Sequence, residues 1–266
     1  MSTTKAAARR AQDSAPFEIA ARAGYVVLGV LHIVLGGIAI AIATGGGGQA
    51  DQGGAVEQIR QTPWGPALLW ATVIGLAALT VWQVAEALLA GQGDAKRRWG
   101  HRAKDLGTAA AYAAIGATAL TAALGGRSDS EGSTRSFSAE LLASPGGVVL
   151  LVAIGLVIAA VGVAFVYRGV TRAFARKLAL PSGPVRGAVV AFGVVGYLAK
   201  GIAVAVTGVL FVVASVTHDA SQAGGLDAGL HALAALPAGA LLLWLVGAGL
   251  VVYGLFCFTR ARYARM

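Results

Sequence analysis

The chain is short of charge. Asp, Glu, Lys and Arg make up 12% of its 266 residues, about half the share of an ordinary soluble domain. A soluble reading would therefore need a very large core with almost no charge in it. Cysteine is rarer still: Cys257 stands alone, so no intrachain disulfide framework exists. Of the four histidines only His32 falls within an apolar run. A bis-histidine haem site would need a second intramembrane imidazole, which argues against a b-type cytochrome. The sequence has no HExxH, no GxSxG, no CxxC and no intramembrane carboxylate pair. The usual signatures of metalloproteases, serine hydrolases and thiol redox enzymes are thus missing. The expectation is a protein that is not an enzyme and holds no cofactor or metal.

What the chain does have is apolar sequence in long runs. Hydrophobic residues make up 57% and the mean hydropathy is +0.73. Six runs with little or no charge stand out, at 23–43, 66–88, 106–124, 147–167, 190–216 and 238–258. Each can cross about 30 Å of hydrocarbon as a helix rising 1.5 Å per residue. Backbone groups in lipid must pair internally, so these runs are expected to be helices. A barrel would alternate over about ten residues, and these runs are continuous. The 38 glycines are spread through the spans, where they let helix backbones approach closely. The fold class expected is all-α: a polytopic membrane protein with six transmembrane helices.

The net charge of +9 and pI near 10.2 would suggest nucleic acid in a soluble protein. Topology accounts for them instead. Basic residues gather in the N-terminal tail (Lys5, Arg9, Arg10, Arg22), between spans two and three (Lys96, Arg97, Arg98, Arg102, Lys104), between spans four and five (Arg168, Arg172, Arg176, Lys177, Arg186) and at the C-terminus (Arg260, Arg262, Arg265). The alternate connections hold only Arg60, Arg127 and Arg135 but seven acids: Asp51, Glu57, Asp129, Glu131, Glu140, Asp219 and Asp227. Both termini are therefore expected in the cytoplasm, with the protein in the cell membrane. The expected partners are the bilayer, its anionic headgroups at the cytoplasmic face and other membrane helices, and nucleic acid is unnecessary. Basic residues followed by an apolar run and AIA at 41–43 imitate a cleaved signal. The run is too long for one, and cleavage would remove one copy of a repeat.

That repeat is visible in short strings. GYVVLG at 24–29, AYAAIG at 111–116 and GYLAKG at 196–201 share a small residue, Tyr, three others and Gly. Seven residues past each Gly stand Gly36, Ala123 and Gly208. A second anchor follows in each unit: PWG at 63–65, PGG at 145–147 and PAG at 237–239. The unit is a helical hairpin with Pro-x-Gly opening its second helix, where early N–H groups lack partners anyway. The organisation expected is a tail at 1–21, repeats at 22–95, 96–180 and 181–260, and a tail at 261–266. AVEQIRQT at 55–62 and LHALAAL at 230–236 fit short interfacial helices outside. TGGGGQADQGG at 44–54 reads as a flexible loop without the context of a phosphate loop.

These three Tyr-x3-Gly hairpins with their Pro-x-Gly anchors resemble the bacterial membrane proteins called domain of unknown function 1206, over about residues 20–262. The resemblance implies up to three copies of a two-helix module, widespread in actinobacteria, and it implies no activity and no active-site residues. The middle copy departs most from the pattern, with Ala111 for the first Gly and Ala123 for the last.

Two spans per unit make the repeats parallel, related by an axis along the membrane normal, unlike the inverted repeats of many transporters. A pseudo-threefold bundle is expected. On a helical wheel Tyr25, Gly29, Gly36 and His32 share one stripe. The same holds for Tyr112, Gly116 and Ala123, and for Tyr197, Gly201 and Gly208. Stripes of small residues suit close helix packing better than a pore wall.

Lys200 is the anomaly, an ammonium three residues past Tyr197 inside a span. Six residues in, about 9 Å deep, its stem could snorkel to the headgroups. A span starting near Gly187 would bury it deeper, where it needs a partner, and Glu86 and Gln83 match in depth. Leu28 and Ile115 hold this position in the other units. His32 reads as a neutral imidazole hydrogen-bonded in the bundle, or as a proton relay. Asp227 and His231, one helical turn apart, could share a metal, though three or four ligands are needed. The three tyrosines read as interfacial anchors. Two functions follow: a non-catalytic structural or accessory membrane protein, or a small-solute or ion transporter using Lys200, Glu86 and His32.

Overall fold

The computed structural model describes residues 15–89, 95–126, 129–180 and 183–264. The basic residues Lys5, Arg9, Arg10, Arg127 and Arg265 lie outside the described residues. The helices are α1 Ala15–Ala43, α2 Gln52–Arg60, α3 Gly65–Leu89, α4 Ala95–Ala123, α5 Ser130–Ala143, α6 Gly147–Val170, α7 Pro184–Thr217, α8 Gly225–Ala234 and α9 Gly239–Tyr263. Six of them, α1, α3, α4, α6, α7 and α9, contain segments long and apolar enough to cross a membrane. The protein is all-helical and multi-pass.

Every unit contains a third, short helix before its Pro-x-Gly. The polar sequence of α5 had hidden it from the hydrophobic pattern; Asp129 caps it by accepting from the Gly132 N–H at 2.7 Å. Helix α2 begins inside the glycine-rich stretch expected to be loop, because Asp51 accepts from the Gly54 N–H at 2.7 Å and closes the N-terminus. Helix α2 packs its apolar face on protein. Its Val56 and Ile59 are wedged among Leu31, Leu35, Leu69 and Ala119. Likewise, Leu230 and Leu233 of α8 pack with Ile38, Ala203 and Leu243. These helices cap the bundle because their apolar faces are satisfied by protein.

The Pro-x-Gly turn repeats, with one correction. The spanning helix begins at the Gly, two residues past the Pro: Gly65, Gly147 and Gly239. Each of these N–H groups donates three residues back, to Thr62, Ser144 and Leu236. A Cβ on any of them would strike carbonyls of the preceding short helix, such as Arg60, Leu141 and Ala234. Glycine is needed here for close approach.

The spanning helices form an arc in the order α4, α3, α1, α9, α7, α6. In all three units the first helix packs on the second helix of another unit: α4 on α3, α7 on α6 and α1 on α9. The contact within a hairpin is made by α1 with α3 and by α7 with α9, but among the described residues α4 and α6 have no comparable packing. The expected threefold arrangement is interrupted at this one contact.

Glycine governs two of the crossings. On α1 and α9, Gly29 faces Gly254 and Gly36 faces Gly247; a Cβ on any of the four would strike the opposite carbonyl. On α7 and α6, Gly208 faces Gly155 in the same way, and Gly201 lies against Gly162 and Val166. The α4–α3 crossing is looser. Gly116 would meet only the Leu76 Cβ at 3.5 Å, an ordinary contact, and Ala123 is half-buried.

Candidate functional site

Lys200 is the seventeenth of the 34 residues of α7, because the helix starts at Pro184 and not near residue 190. Its neighbour across the arc is His32 of α1, with the amine Nζ 3.0 Å from Nε2. His32 Nδ1 lies 2.7 Å from the Leu28 carbonyl. That oxygen can only accept, so Nδ1 carries the proton and donates to it. The Nε2 lone pair is then free to accept from the Lys200 ammonium. A neutral imidazole and an ammonium share one hydrogen bond.

Depth follows from α1. His32 stands ten residues past Arg22, about 15 Å of rise and half of the hydrocarbon thickness. Arg22 itself donates to the Ala261 carbonyl at 2.8 Å and the Arg262 carbonyl at 2.9 Å, satisfying the end of α9. The Lys200 head is bound to protein.

The pairing expected with Glu86 or Gln83 is not formed. Both residues lie on α3, which packs on α1 and α4, while α7 packs on α6 and α9. Helices α1 and α9 separate the two sides. In place of a carboxylate, Lys200 has aromatic faces: Nζ is 4.4 Å from the Tyr253 ring centroid and 5.3 Å from that of Phe165. Ring quadrupoles stabilise a cation partly removed from water. The Tyr253 ring also lies 4.7 Å from His32.

A second cation joins from the C-terminal end of α9. Arg260 of α9, expected at the headgroups, turns inward; its Nη2 donates to the Tyr25 hydroxyl at 3.1 Å and its guanidinium lies 4.3 Å from the Tyr25 ring. The repeat tyrosines are not interfacial anchors. Tyr25 and Tyr197 are buried in one cluster, and Tyr112 packs against it. The link between α6 and α7 contributes Phe174, from a short 3-10 helix at Ala173–Lys177. Its ring stacks on Tyr197 at 5.1 Å and meets Phe256 edge-on at 5.1 Å. Phe174, Tyr253 and Phe256 gave no sequence signal, since each stands outside the repeated strings. The aromatic cluster also holds the buried thiol of Cys257, and among the described residues no carboxylate is paired with the Lys200 amine.

The family's sequence profile, described as Domain of Unknown Function (DUF1206), matches residues 23–90, 106–172 and 195–264, once per unit. The chain belongs to the DUF1206 family. A relative within curated proteins, "Uncharacterized protein YxxB" of Bacillus subtilis strain 168, is 30% identical over 253 residues, covering 92% of this chain and 90% of the relative. No solved structure matches. In this DUF1206 protein each match contains one Tyr-x3-Gly string and one Pro-x-Gly turn, and Lys200, His32, Tyr253 and Phe165 all fall within matched residues.

On the opposite face the three units meet through Asp227 of α8. Its Oδ1 accepts from the Ala50 N–H at 2.6 Å, and His231 Nδ1 lies 3.3 Å from its Oδ2. Among the described residues no three His, Cys, Asp or Glu side chains gather in a metal-holding geometry. Asp227 ties connections together. Burial pushes its carboxyl upward, aided by Glu131 of α5 and opposed by the Ala50 N–H and His231. Burial also raises Asp51, again aided by Glu131 and by Asp129. A raised value in the folded state means that the native protein binds the proton more readily. The stabilisation is complete below the unfolded value of about 3.9 and is lost as pH rises through the folded one. Asp227→Asn keeps an acceptor for Ala50 and removes the charge. Its melting temperature should fall less steeply than that of the parent as pH rises above about 4. Asp227→Ala should lose about 1–3 kcal/mol at all pH values by orphaning the Ala50 N–H. Parallel melting curves for parent and Asp227→Asn would refute this.

Proposed function

We propose that this DUF1206 protein moves an anion-bearing substrate across the membrane, without catalysis, and that Lys200 with His32 is its binding point. The observation that supports this is an ammonium at mid-helix held by a neutral imidazole and two rings, with no carboxylate paired to it among the described residues. A charge at such depth costs about 2.5–3.5 kcal/mol on insertion scales. A purely structural contact would avoid that cost with the leucine or isoleucine of the other two units. An anion completes the site electrostatically. Glu86 and Gln83 have no part in it. Both termini face the cytoplasm in this proposal, supported by the basic residues at the Arg22, Arg168 and Arg260 ends of the helices.

The test is flux in proteoliposomes, with chloride, nitrate and inorganic phosphate as separate probes. Lys200→Ala should reduce the flux of a carried probe at least about tenfold, and Lys200→Arg should retain it. Unchanged flux in Lys200→Ala removes this residue from the mechanism. Separately, an impermeant maleimide reaching Arg102→Cys from the outer face of intact cells would reverse the orientation. A structural or accessory role is the second reading, favoured by the reciprocal glycine–carbonyl crossings of α1 with α9 and α6 with α7. It stands if the parent protein moves none of the probes and takes up no anionic lipid.

A further inference from the structure

Helices α4 and α6 stand at the two ends of the arc, and among the described residues they lack the packing that joins the other neighbours. These are also the least covered spans: 17% of each is buried, against 50% for α1 and α9. On the α6 side this seam is flanked by Phe165, and on the α4 side by Tyr112 and Ile115; all three are partly buried and pack against the central cluster. Phe165 carries a cation on either hand. Lys200 lies 5.3 Å and Arg168 5.9 Å from its centroid. Lys200 itself is half-buried, and it points into the arc, since it touches α1, α6 and α9 together.

A loosely packed seam between two apolar helices, with two cations beside Phe165 and no carboxylate paired to either among the described residues, fits a ligand with an acyl chain and a negative head. A small hydrated anion has no use for apolar walls. A zwitterionic lipid gains less from two cations than an anionic one does. We infer that an anionic phospholipid enters between α4 and α6, its acyl chains lying along the two exposed helix faces and its phosphate passing from Arg168 to Lys200. This rests on the anion-binding reading of Lys200 and names its substrate class. The phosphate oxygens accept hydrogen bonds from the ammonium, a charge-assisted contact between groups partly removed from water.

The experiment uses the full chain in phosphatidylcholine nanodiscs doped with phosphatidylglycerol carrying a photoactivatable acyl chain. Labelling should concentrate on α4 and α6 and should be competed by unlabelled phosphatidylglycerol but not by added phosphatidylcholine. Lys200→Met should reduce it about tenfold, the loss of one strong charged contact, while Lys200→Arg should retain it. Melting temperatures of both variants show that the fold persists. Labelling spread evenly over the outer faces of α1 and α9, or unchanged in Lys200→Met, overturns the inference. So does cross-linking of α4 and α6 to a second copy of the chain in place of lipid. If inorganic phosphate moves in a Lys200-dependent way while the lipid probe ignores the seam, the lipid inference falls and the anion reading stands. If neither probe depends on Lys200, both fall.

Discussion

Gly29→Ala and Gly201→Ala should each destabilise the protein by about 1–3 kcal/mol, while Gly116→Ala, at the same repeat position, should be neutral or stabilising by up to about 1 kcal/mol. The three glycines are indistinguishable by the repeat pattern. Their surroundings differ. A methyl on Gly29 would lie 2.8 Å from the Gly254 carbonyl oxygen and 2.6 Å from the Phe258 ring. One on Gly201 would lie 2.8 Å from the Gly162 carbonyl oxygen and 2.7 Å from Val166. Backbone cannot step aside, so the helices must separate, and dispersion contacts along the whole crossing weaken with them. At Gly116 the nearest atom is 3.5 Å away, and only the gain in helix propensity remains. Thermal unfolding of the three variants in one detergent decides the matter. Equal destabilisation at all three sites would mean that the α4–α3 crossing is as tight as the others.

His32→Leu and Lys200→Met should each cost up to about 3 kcal/mol, and the double variant should cost less than the sum. Removing the imidazole leaves an ammonium at mid-membrane with two ring faces and no hydrogen-bond acceptor. That loss falls near the 2.5–3.5 kcal/mol assigned to an unaided charge at such depth, reduced by about 0.5–2 kcal/mol for the rings. Removing the amine leaves only a neutral Nε2 without its donor, about 1–3 kcal/mol. With both gone, no polar head remains to be orphaned there. A double-mutant cycle of unfolding free energies should give a coupling of at least about 1 kcal/mol. An additive cycle would show that the 3.0 Å contact contributes nothing, and the binding point would lose its organising pair.

The repeat, the spans and the turn were legible because they recur. A string that appears three times with its anchors carries more information than any one copy. The close crossings were legible too, since small residues at fixed intervals have one use in a bilayer. The partner of Lys200 was not. Depth matching pointed to Glu86, but depth says nothing about which helices are neighbours, and α3 lies on the far side of α1 and α9. His32 was singled out for its own sake, and nothing in one dimension joins residues 32 and 200. The tyrosines were misassigned for a related reason. An aromatic with a hydroxyl suits the membrane interface on average, yet Tyr25 found its polar partner inside, in Arg260. Arg260 had been absorbed into the topological charge. The helix α5 escaped because a cap residue and a polar turn sequence give no apolar period.

The pairing of α1 with α9 has a consequence for biosynthesis. Gly29 and Gly36 leave the ribosome long before their partners Gly254 and Gly247. At about 5–20 residues per second, α1 waits on the order of 10–45 s in the membrane with its closest surface bare. Helix α9 then closes against α1, and the aromatic cluster forms only at that moment. Truncation anywhere before α9 therefore leaves α1 unpartnered.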